Sequence, residues 1–554
     1  MTNMNDKLLL VTGVQCAAVA LASLIALSAQ AAAPGISGTP STTGPTFNLS
    51  AAATRISEPN GKYVYAWGYG CDQTKPVPGF LPANVGGANC PAAQLPGPTL
   101  IVHENDVVTV TLTNNLPAAA GNTSILFPGF QVTTTGGTAG LLVQEAPNAA
   151  TCLSNPGCNV VTYTFTAKSP GTHSYYSGTQ ADLQVELGMF GALIVLPTSV
   201  PANCTTGIAA QNLAAKGPTK EQDFRLANAA YDHPSSCYDR EYLFQFSEMD
   251  DNIHTAAEAQ VIADQNATAA AVLAKQPNPG CTSPTGCLVV PTEPYAPGYF
   301  MVNGRSMPDD MDPNYASMYP SQPYNGNPHM HPGELTLLRI IGQGRWQHPF
   351  HEHANHVRVL ARDGNLLLSP ADVSGNTLPA GPLMFTTTTT PGMTLDGIFY
   401  WTGKGLNWDV FGHGYAGDAS TCIPDANGYY TSNPSATNYY EWCGDHRKAL
   451  EKNPTSTQIA SGGPVTLPDP NIVTNGAWYS GTPYLGPEAL SRAVGATPLP
   501  PAGTIANSPS GEAGYAYMWH SHNEREITTD NVFPGGMMMM MLVDPRAFVI
   551  DETN

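Results

Sequence analysis

The sequence predicts an all-β protein that contains two antiparallel β-sandwiches. Only 12% of its 554 residues are charged, whereas it has 54 Gly and 50 Pro. This composition disfavours helical bundles and coiled coils, which need many charged helix-forming residues. The hydrophobic content of 42% and the 24 Tyr disfavour long disordered regions. The length exceeds what one hydrophobic core usually supports, so we expect two or more domains.

Short segments rich in Val, Thr, Tyr and Phe recur along the chain in two series, separated by turn residues. In the first series, residues 99–117 alternate apolar and polar side chains with a period of two, as a half-buried strand does. The second series begins at Arg240 and ends near Pro545, and its segments follow a similar order. This similarity indicates an internal duplication of one sandwich. The Ala-rich segment 255–276 predicts one surface helix.

The predicted organisation is a signal peptide over 1–31, a first domain over 45–200 and a second domain over 225–548. Residues from about 405 to 512 are rich in Gly, Pro, Ser, Asn and Tyr, which predicts a loop-rich insertion in the second domain. The first residues combine a Lys, an apolar stretch and an A-x-A cleavage pattern, although a membrane anchor is the alternative. No later apolar run reaches 18 residues. We therefore expect an exported protein, periplasmic or extracellular, with no membrane span after cleavage.

Charge and cysteine content narrow the function further. The formal charge of −20 and the lack of a Lys/Arg run argue against nucleic acid as a partner. Ten of the eleven Cys follow the signal segment, and an even number in an exported protein predicts disulfides. Two pairs bracket Pro-containing turns and three more are close in sequence. The predicted pairs are Cys152–Cys158, Cys281–Cys287, Cys71–Cys90, Cys204–Cys237 and Cys422–Cys443.

Histidines are concentrated in two segments of the second domain, 346–356 and 519–526. On a strand, His-x-His places both imidazoles on one face, because side chains alternate at period two. Two such strands side by side would bring four imidazoles together, and imidazole suits Cu, Zn, Fe and Ni. The sequence therefore predicts a metal site. Its candidate ligands are His351, His353, His520 and His522, with His348 and His356 as additional candidates.

Three other features each have a chemical and a structural interpretation. The run Met537–Met541 offers thioethers for Cu(I), although alternate Met residues in a buried strand usually fill a core. The segment 329–331 is a further His-x-His, either an auxiliary surface copper site or a solvated loop. Glu352, Glu524 and Glu526 flank the cluster in sequence. Three roles are open for each of them: a metal ligand, a partner that fixes an imidazole, or a solvated charge.

Several segments resemble those of the multicopper oxidases, the family that includes laccases and ascorbate oxidases. HPFHEHANH at 348–356 resembles their HPFHLHGH segment, and WHSH at 519–522 resembles their HCH segment. DREYLFQFSEMD, YFMVNGRSMPD and ELGMFGALIVLP are also similar, so the resemblance covers almost all of the chain except the signal peptide and the insertion. It implies two tandem cupredoxin-like Greek-key sandwiches, copper as the metal and, by family analogy, a homotrimer. Because both His motifs fall in one sandwich, the two-domain arrangement is favoured.

Departures from the family limit what the resemblance implies. Ser521 stands where the family has the Cys of its blue type 1 copper, and a hydroxyl cannot replace that soft thiolate. The next type 1 His falls near Glu526. The four first-domain ligands of the family's trinuclear cluster are replaced by Leu126, Pro128, Tyr176 and Gly178, while His103 and His173 lie off the ligand positions. Four-electron reduction of O₂ is therefore not expected.

The expected function is exported copper binding, with one ion or a close pair in the second domain. An enzyme of this kind would be an oxidoreductase that passes electrons directly between a small-molecule or metal-ion substrate and the bound metal. The alternative is a non-enzymatic metal-binding or structural protein. Zinc and hydrolysis rank below copper, because nothing else would position a substrate for hydrolysis. Copper binding should weaken below about pH 6 as His protonates.

Overall fold

The structure, a computed structural model, describes most of the chain outside its N-terminal segment and the predicted insertion. The described residues are 33–76, 78–83, 85–152, 155, 157–206, 223–276, 280–403, 423–432, 442, 444, 481–484, 514–544 and 550. The predicted signal peptide, most of the predicted insertion and the Cys422–Cys443 pair lie outside these residues. None of the helices within the described part of the chain is long and apolar enough to cross a membrane.

The first half of the chain forms thirteen described strands. They are β1 (Gly35–Ser37), β2 (Thr39–Pro40), β3 (Pro45–Ser57), β4 (Tyr63–Cys71), β5 (Gly79–Leu81), β6 (Gly97–His103), β7 (Val107–Asn114), β8 (Thr133–Gly136), β9 (Thr138–Ala139), β10 (Gln144–Glu145), β11 (Val160–Thr166), β12 (Gly171–Tyr176) and β13 (Phe190–Leu196). One sheet has the order β12-β13-β6-β1-β5, and the other has the order β2-β3-β7-β11-β8 with β4 beside β3. Alternate residues of β7 and β11 are buried, as the sequence pattern predicts.

The second half forms another thirteen strands. They are β14 (Arg240–Met249), β15 (Tyr299–Val302), β16 (His329–Met330), β17 (Leu335–Gly342), β18 (His348–Glu352), β19 (Val357–Arg362), β20 (Asn365–Leu366), β21 (Leu383–Met384), β22 (Thr386–Thr389), β23 (Thr394–Tyr400), β24 (Gly481–Tyr484), β25 (Gly514–Ser521) and β26 (Met538–Val543). One sheet has the order β15-β14-β17-β23-β19-β20, with β21 beside β19. The other, which carries the His motifs, has the order β16-β26-β25-β18-β22, with β24 beside β25.

The two sandwiches repeat one pattern of pairing. In the first, β7 lies between parallel β3 and antiparallel β11, and β13 lies between parallel β6 and antiparallel β12. In the second, β17 lies between parallel β14 and antiparallel β23, and β26 lies between parallel β16 and antiparallel β25. The fold class is therefore confirmed: two tandem cupredoxin-like Greek-key β-sandwiches. The domain bounds remain predictions, and β1 pairs with β6 although it precedes residue 45.

Helices are few in the described residues. They are α1 (Ala181–Gln184), α2 (Asn203–Thr206) and α3 (Asp251–Leu273), with 3₁₀ turns at Ala118–Ala120, Ala149–Thr151, Pro234–Ser236 and Asp309–Met311. The predicted surface helix is α3, which begins four residues earlier because the Asp250 side chain accepts the Asn252 amide and caps it. Ile253 and Ala257 pack into the core of the first sandwich. His254 is fully buried and bonds the Tyr65 carbonyl, so it is structural.

Four of the five predicted disulfides are confirmed. They are Cys71–Cys90, Cys152–Cys158, Cys204–Cys237 and Cys281–Cys287. The two short pairs, each with a sequence separation of 6, bracket segments that contain Pro, as expected. These bonds restrict the unfolded chain and thereby stabilise the folded one.

Mass spectrometry without reductant should find no alkylatable thiol in the mature protein. The eight paired Cys account for most of the set, and Cys422 and Cys443 are expected to form the fifth pair. A reduced and denatured sample, which should take up ten alkyl groups, serves as the control. Two or more free Cys would contradict the prediction and reopen a thiolate metal site.

Candidate metal centre

Strands β18 and β25 bring the two His motifs together. They pair antiparallel with His351 directly opposite His520. His353 and His522 follow their strands immediately, two residues further along each chain segment. The ring centroid of His351 lies 4.8 Å from the centroid of His353, 5.5 Å from that of His520 and 4.9 Å from that of His522. The His520 centroid lies 5.1 Å from that of His353 and 5.5 Å from that of His522. Four imidazoles thus form one cluster.

Hydrogen bonds set the orientation of several rings. His520 Nδ1 donates to the Ser521 carbonyl at 2.7 Å, and His351 Nδ1 lies 2.7 Å from Thr386 Oγ1. Such contacts at one ring nitrogen fix a metal-binding imidazole so that the other nitrogen addresses the ion. The Nε2 atoms of His353 and His520 lie 3.3 Å apart and share a hydrogen bond in the metal-free arrangement. Two nitrogens bound at about 2.0 Å to one tetrahedral ion would be about 3.3 Å apart. This pair therefore fits a shared metal ion.

The remaining rings require rotation before they can join that pair. Four of the five ring pairs meet at 72–89°. Within the described residues, no three His, Cys, Asp or Glu side chains are arranged so that they could hold one ion as they stand. The donor chemistry fits copper, because borderline nitrogen donors suit it.

Burial and mutual repulsion favour the neutral form of two of the four imidazoles, His351 and His520. Burial, with the charges of His520 and His522, lowers the pKa of His351 to about 4. Burial also lowers the pKa of His520. Neutral imidazoles offer a lone pair to a metal without displacing a proton. Because the pKa of His351 is about 4, its protonation should weaken copper binding only near that pH and not already near pH 6.

One edge of the cluster reaches solvent. His351, His353 and His520 are 4–6% exposed, whereas the His522 side chain is 54% exposed and lies 3.5 Å from Glu524. His356, the sixth sequence candidate, contacts the Phe385 ring at 5.1 Å, and that ring also contacts His351 at 5.8 Å. Within the described part of the chain, the ring of His356 contacts the ring of Phe385 and does not contact another imidazole.

His348 has a different environment from the one expected of a ligand. Its Nδ1 lies 2.9 Å from Glu526 Oε2, and its Nε2 lies 3.0 Å from Glu248 Oε2. All three side chains are fully buried. Burial lowers the pKa of His348, but the bonds to both carboxylates outweigh it and raise the pKa to about 9. An imidazolium that donates from both nitrogens has no lone pair for a metal. In this structure His348 is therefore the centre of a buried triad, and its role as a ligand stays a prediction that this bonding does not favour.

Two assignments from sequence are corrected. His329 and His331 are 2% and 0% exposed, so neither the surface copper site nor the solvated loop is right. His329 Nδ1 lies 2.6 Å from the Asp544 carboxylate, and His331 Nδ1 lies 2.9 Å from the Asp544 carbonyl.

Glu352 is fully buried and accepts a hydrogen bond from Thr387 Oγ1, and burial raises its pKa to about 8. It is thus a neutral core acid rather than a solvated charge.

Similar proteins are found among known families and among solved structures. Residues 88–199 match the family model of the multicopper oxidases. The resemblance to the multicopper oxidases is thereby confirmed. No curated protein matches the chain. Among solved structures, multicopper oxidase mgLAC is 14% identical, with 92% of this chain and 88% of that chain covered and a TM-score of 0.41. The blue copper oxidase from Nitrosomonas europaea is 15% identical, with 90% and 85% covered and a TM-score of 0.39.

The residues that the sequence resemblance aligns with type 1 copper ligands form a hydrogen-bonded group in this structure. Ser521 Oγ donates to Glu526 Oε2 at 2.5 Å, and Asn523 Nδ2 donates to Glu526 Oε1 at 2.8 Å. The amides of Arg345 and Trp346 donate to the carboxylate of Glu248 at 2.7 and 2.8 Å. The triad is therefore satisfied without an ion. Glu248 was missed from the sequence, although a carboxylate inside the strand segment LFQFSEM was a visible signal.

The first-domain residues that the sequence resemblance aligns with copper ligands include three that pack closely together. Leu126 and Tyr176 pair through backbone hydrogen bonds, with Leu126 N donating to the Tyr176 carbonyl at 2.8 Å. A Cβ at Gly178 would lie 2.8 Å from the Leu126 side chain, which leaves no space for a larger residue. His173 is buried against Phe130 and bonds the Ser169 carbonyl, while the His103 side chain is 63% exposed. Both are ordinary polar residues.

Proposed function

We propose that this chain is an exported copper-binding protein whose centre holds one ion or a close pair. Its ligands are His351, His353, His520 and His522. The observation that carries the proposal is the 3.3 Å separation of two Nε2 atoms inside a cluster of four imidazoles. Four disulfides and the likeness to multicopper oxidases support export.

The same centre supports an oxidoreductase that works without the type 1 relay. Bound copper supplies one-electron chemistry. Since Ser521 and Glu526 replace the type 1 ligands, electrons would have to pass directly between a substrate and the centre. The exposed His522 edge is where a small molecule or a metal ion could approach. The loss of the first-domain ligands favours the second candidate, a non-enzymatic copper-binding protein.

Metal analysis of purified protein tests the proposal. The protein is loaded with copper, desalted and measured by mass spectrometry for copper and zinc. We expect one or two copper ions per chain, retained in competition with equimolar zinc, because copper is bound more tightly than zinc by a given nitrogen site. Turnover in air then separates the two candidates, since only an oxidoreductase should oxidise an added one-electron donor such as hydroquinone catalytically, faster than the same concentration of free Cu(II) does. Protein that retains no copper would overturn the proposal.

Copper-loaded protein should show no intense blue absorption near about 600 nm, because that band requires a thiolate ligand. Ser521 occupies the thiolate position, and its hydroxyl is bonded to Glu526. Visible absorption and electron paramagnetic resonance should instead report non-blue, nitrogen-ligated copper. A strong thiolate-to-copper band would show that the comparison of Ser521 with the type 1 Cys is wrong.

A further inference from the structure

The run Met537–Met541 divides between the two faces of its sheet. Met537, Met539 and Met541 are 0–1% exposed and belong to the core of the second sandwich. This confirms the core-filling interpretation for these three residues. Because side chains alternate along a strand, Met538 and Met540 lie on the opposite face.

That opposite face also carries the His cluster. On β25, the core side chains are Tyr515, Tyr517 and Trp519, so Met518 and His520 lie on the other face. In the antiparallel register, Met518 is directly opposite Met540, and His520 is directly opposite Met538. Directly opposite residues have Cβ atoms about 4.5–5.5 Å apart. The three methionines therefore lie side by side, and the row ends at His520.

None of these three residues belongs to the core of the second sandwich, although Met538 is buried at 4% exposure. Met518 and Met540 are only partly buried, on a face that points away from the core, where polar side chains are the usual choice. A fourth thioether lies at the edge of β26, where Met311 Sδ accepts the Met540 amide at 3.4 Å. Uncharged thioether sulfur is a soft ligand that selects Cu(I) over harder divalent ions.

We propose that Met518, Met538 and Met540 form a second metal site, which binds Cu(I) through three thioethers. It is distinct from the imidazole centre of the proposed function, although it adjoins His520. The flexible side chains can bring three sulfur atoms to one ion from adjacent positions. Partial exposure of Met518 and Met540 provides access from solvent.

Two triple variants of the same chemistry test this site. Met518→Leu/Met538→Leu/Met540→Leu removes the proposed ligands, and Met537→Leu/Met539→Leu/Met541→Leu is the matched control in the core. Met-to-Leu exchange conserves volume and is well tolerated. Both are made in a His351→Ala/His353→Ala/His520→Ala/His522→Ala background, so that imidazoles do not bind the probe. Cu(I) is titrated anaerobically against a chromogenic Cu(I) chelator.

The background protein and the core control should each hold one Cu(I) per chain, whereas the first triple variant should hold none. If the first triple variant retains Cu(I), or the two triple variants bind equally, the proposal is wrong. Met538→Leu and Met540→Leu alone should each weaken Cu(I) binding, which keeps the test available if the triple variant folds poorly. Failure of the imidazole centre would appear separately, as Cu(II) binding that survives the four His substitutions.

Discussion

Replacement of His351, His353, His520 and His522 by Ala is expected to abolish tight Cu(II) binding. The four rings form one cluster with centroids 4.8–5.5 Å apart, so their removal deletes every nitrogen of the proposed centre. Equilibrium dialysis against Cu(II) with a competing chelator, followed by metal analysis, measures the loss. Single substitutions should weaken binding by smaller factors, and His353→Ala and His520→Ala most of all, because each removes one of the two facing Nε2 atoms.

The matched control is His103→Ala/His173→Ala in the first domain. His103 is exposed and His173 packs on Phe130, so copper binding should not change. The quadruple variant should still fold, since the sandwich core and the disulfides do not depend on the imidazoles. Thermal unfolding of the metal-free proteins checks this point. Full copper retention by the quadruple variant, or copper binding by the first domain, would contradict the assignment and place copper elsewhere.

Much of the fold was predictable because local patterns determine it. Period-two alternation in residues 99–117 predicts β6 and β7, and the burial of alternate residues confirms the β7 part. The repeated order of segments predicts the repeated pairing of β7 and β17 with their neighbours. His-x-His spacing likewise predicts that each pair shares a face, and the register then places His351 opposite His520.

What the sequence could not predict depends on contacts between distant segments. Glu248 is 100 residues from His348, and Glu526 is 178 residues from it, yet both bond its ring. Thr386 reaches His351 only because β22 pairs with β18. His329 is buried because β16 adds to β26 at the far end of the chain. Spacing shows which side chains share a strand face but does not show what covers that face.

His348→Gln should destabilise the metal-free protein by about 3–5 kcal/mol at pH 6, the usual effect of removing one partner of a buried charged pair. The substitution leaves Glu248 and Glu526 buried without the imidazolium that joins them. Urea unfolding in the presence of a copper chelator measures the change. Copper content of the folded variant should match that of the wild type, because both nitrogens of His348 are already bonded. Loss of copper with unchanged stability would restore His348 as a ligand.

The pH dependence separates the charge of His348 from its shape. The bonds to Glu248 and Glu526 raise the pKa of His348 from 6.5 to about 9 in the folded state, despite the opposing effect of burial. A raised pKa means that the folded protein holds this proton more tightly than the unfolded chain. Its contribution is therefore complete below pH 6.5 and is lost as the pH rises through 9. The stability difference between wild type and His348→Gln should shrink across this window, by up to about 1.4 kcal/mol per pH unit. A difference that stays constant from pH 6 to 9 would mean that His348 acts through packing alone.

A double variant tests the link between His348 and Glu526. Because Glu526→Gln removes one of the two carboxylates that His348 joins, the His348→Gln/Glu526→Gln protein should lose less unfolding free energy than the sum of the losses in the two single variants.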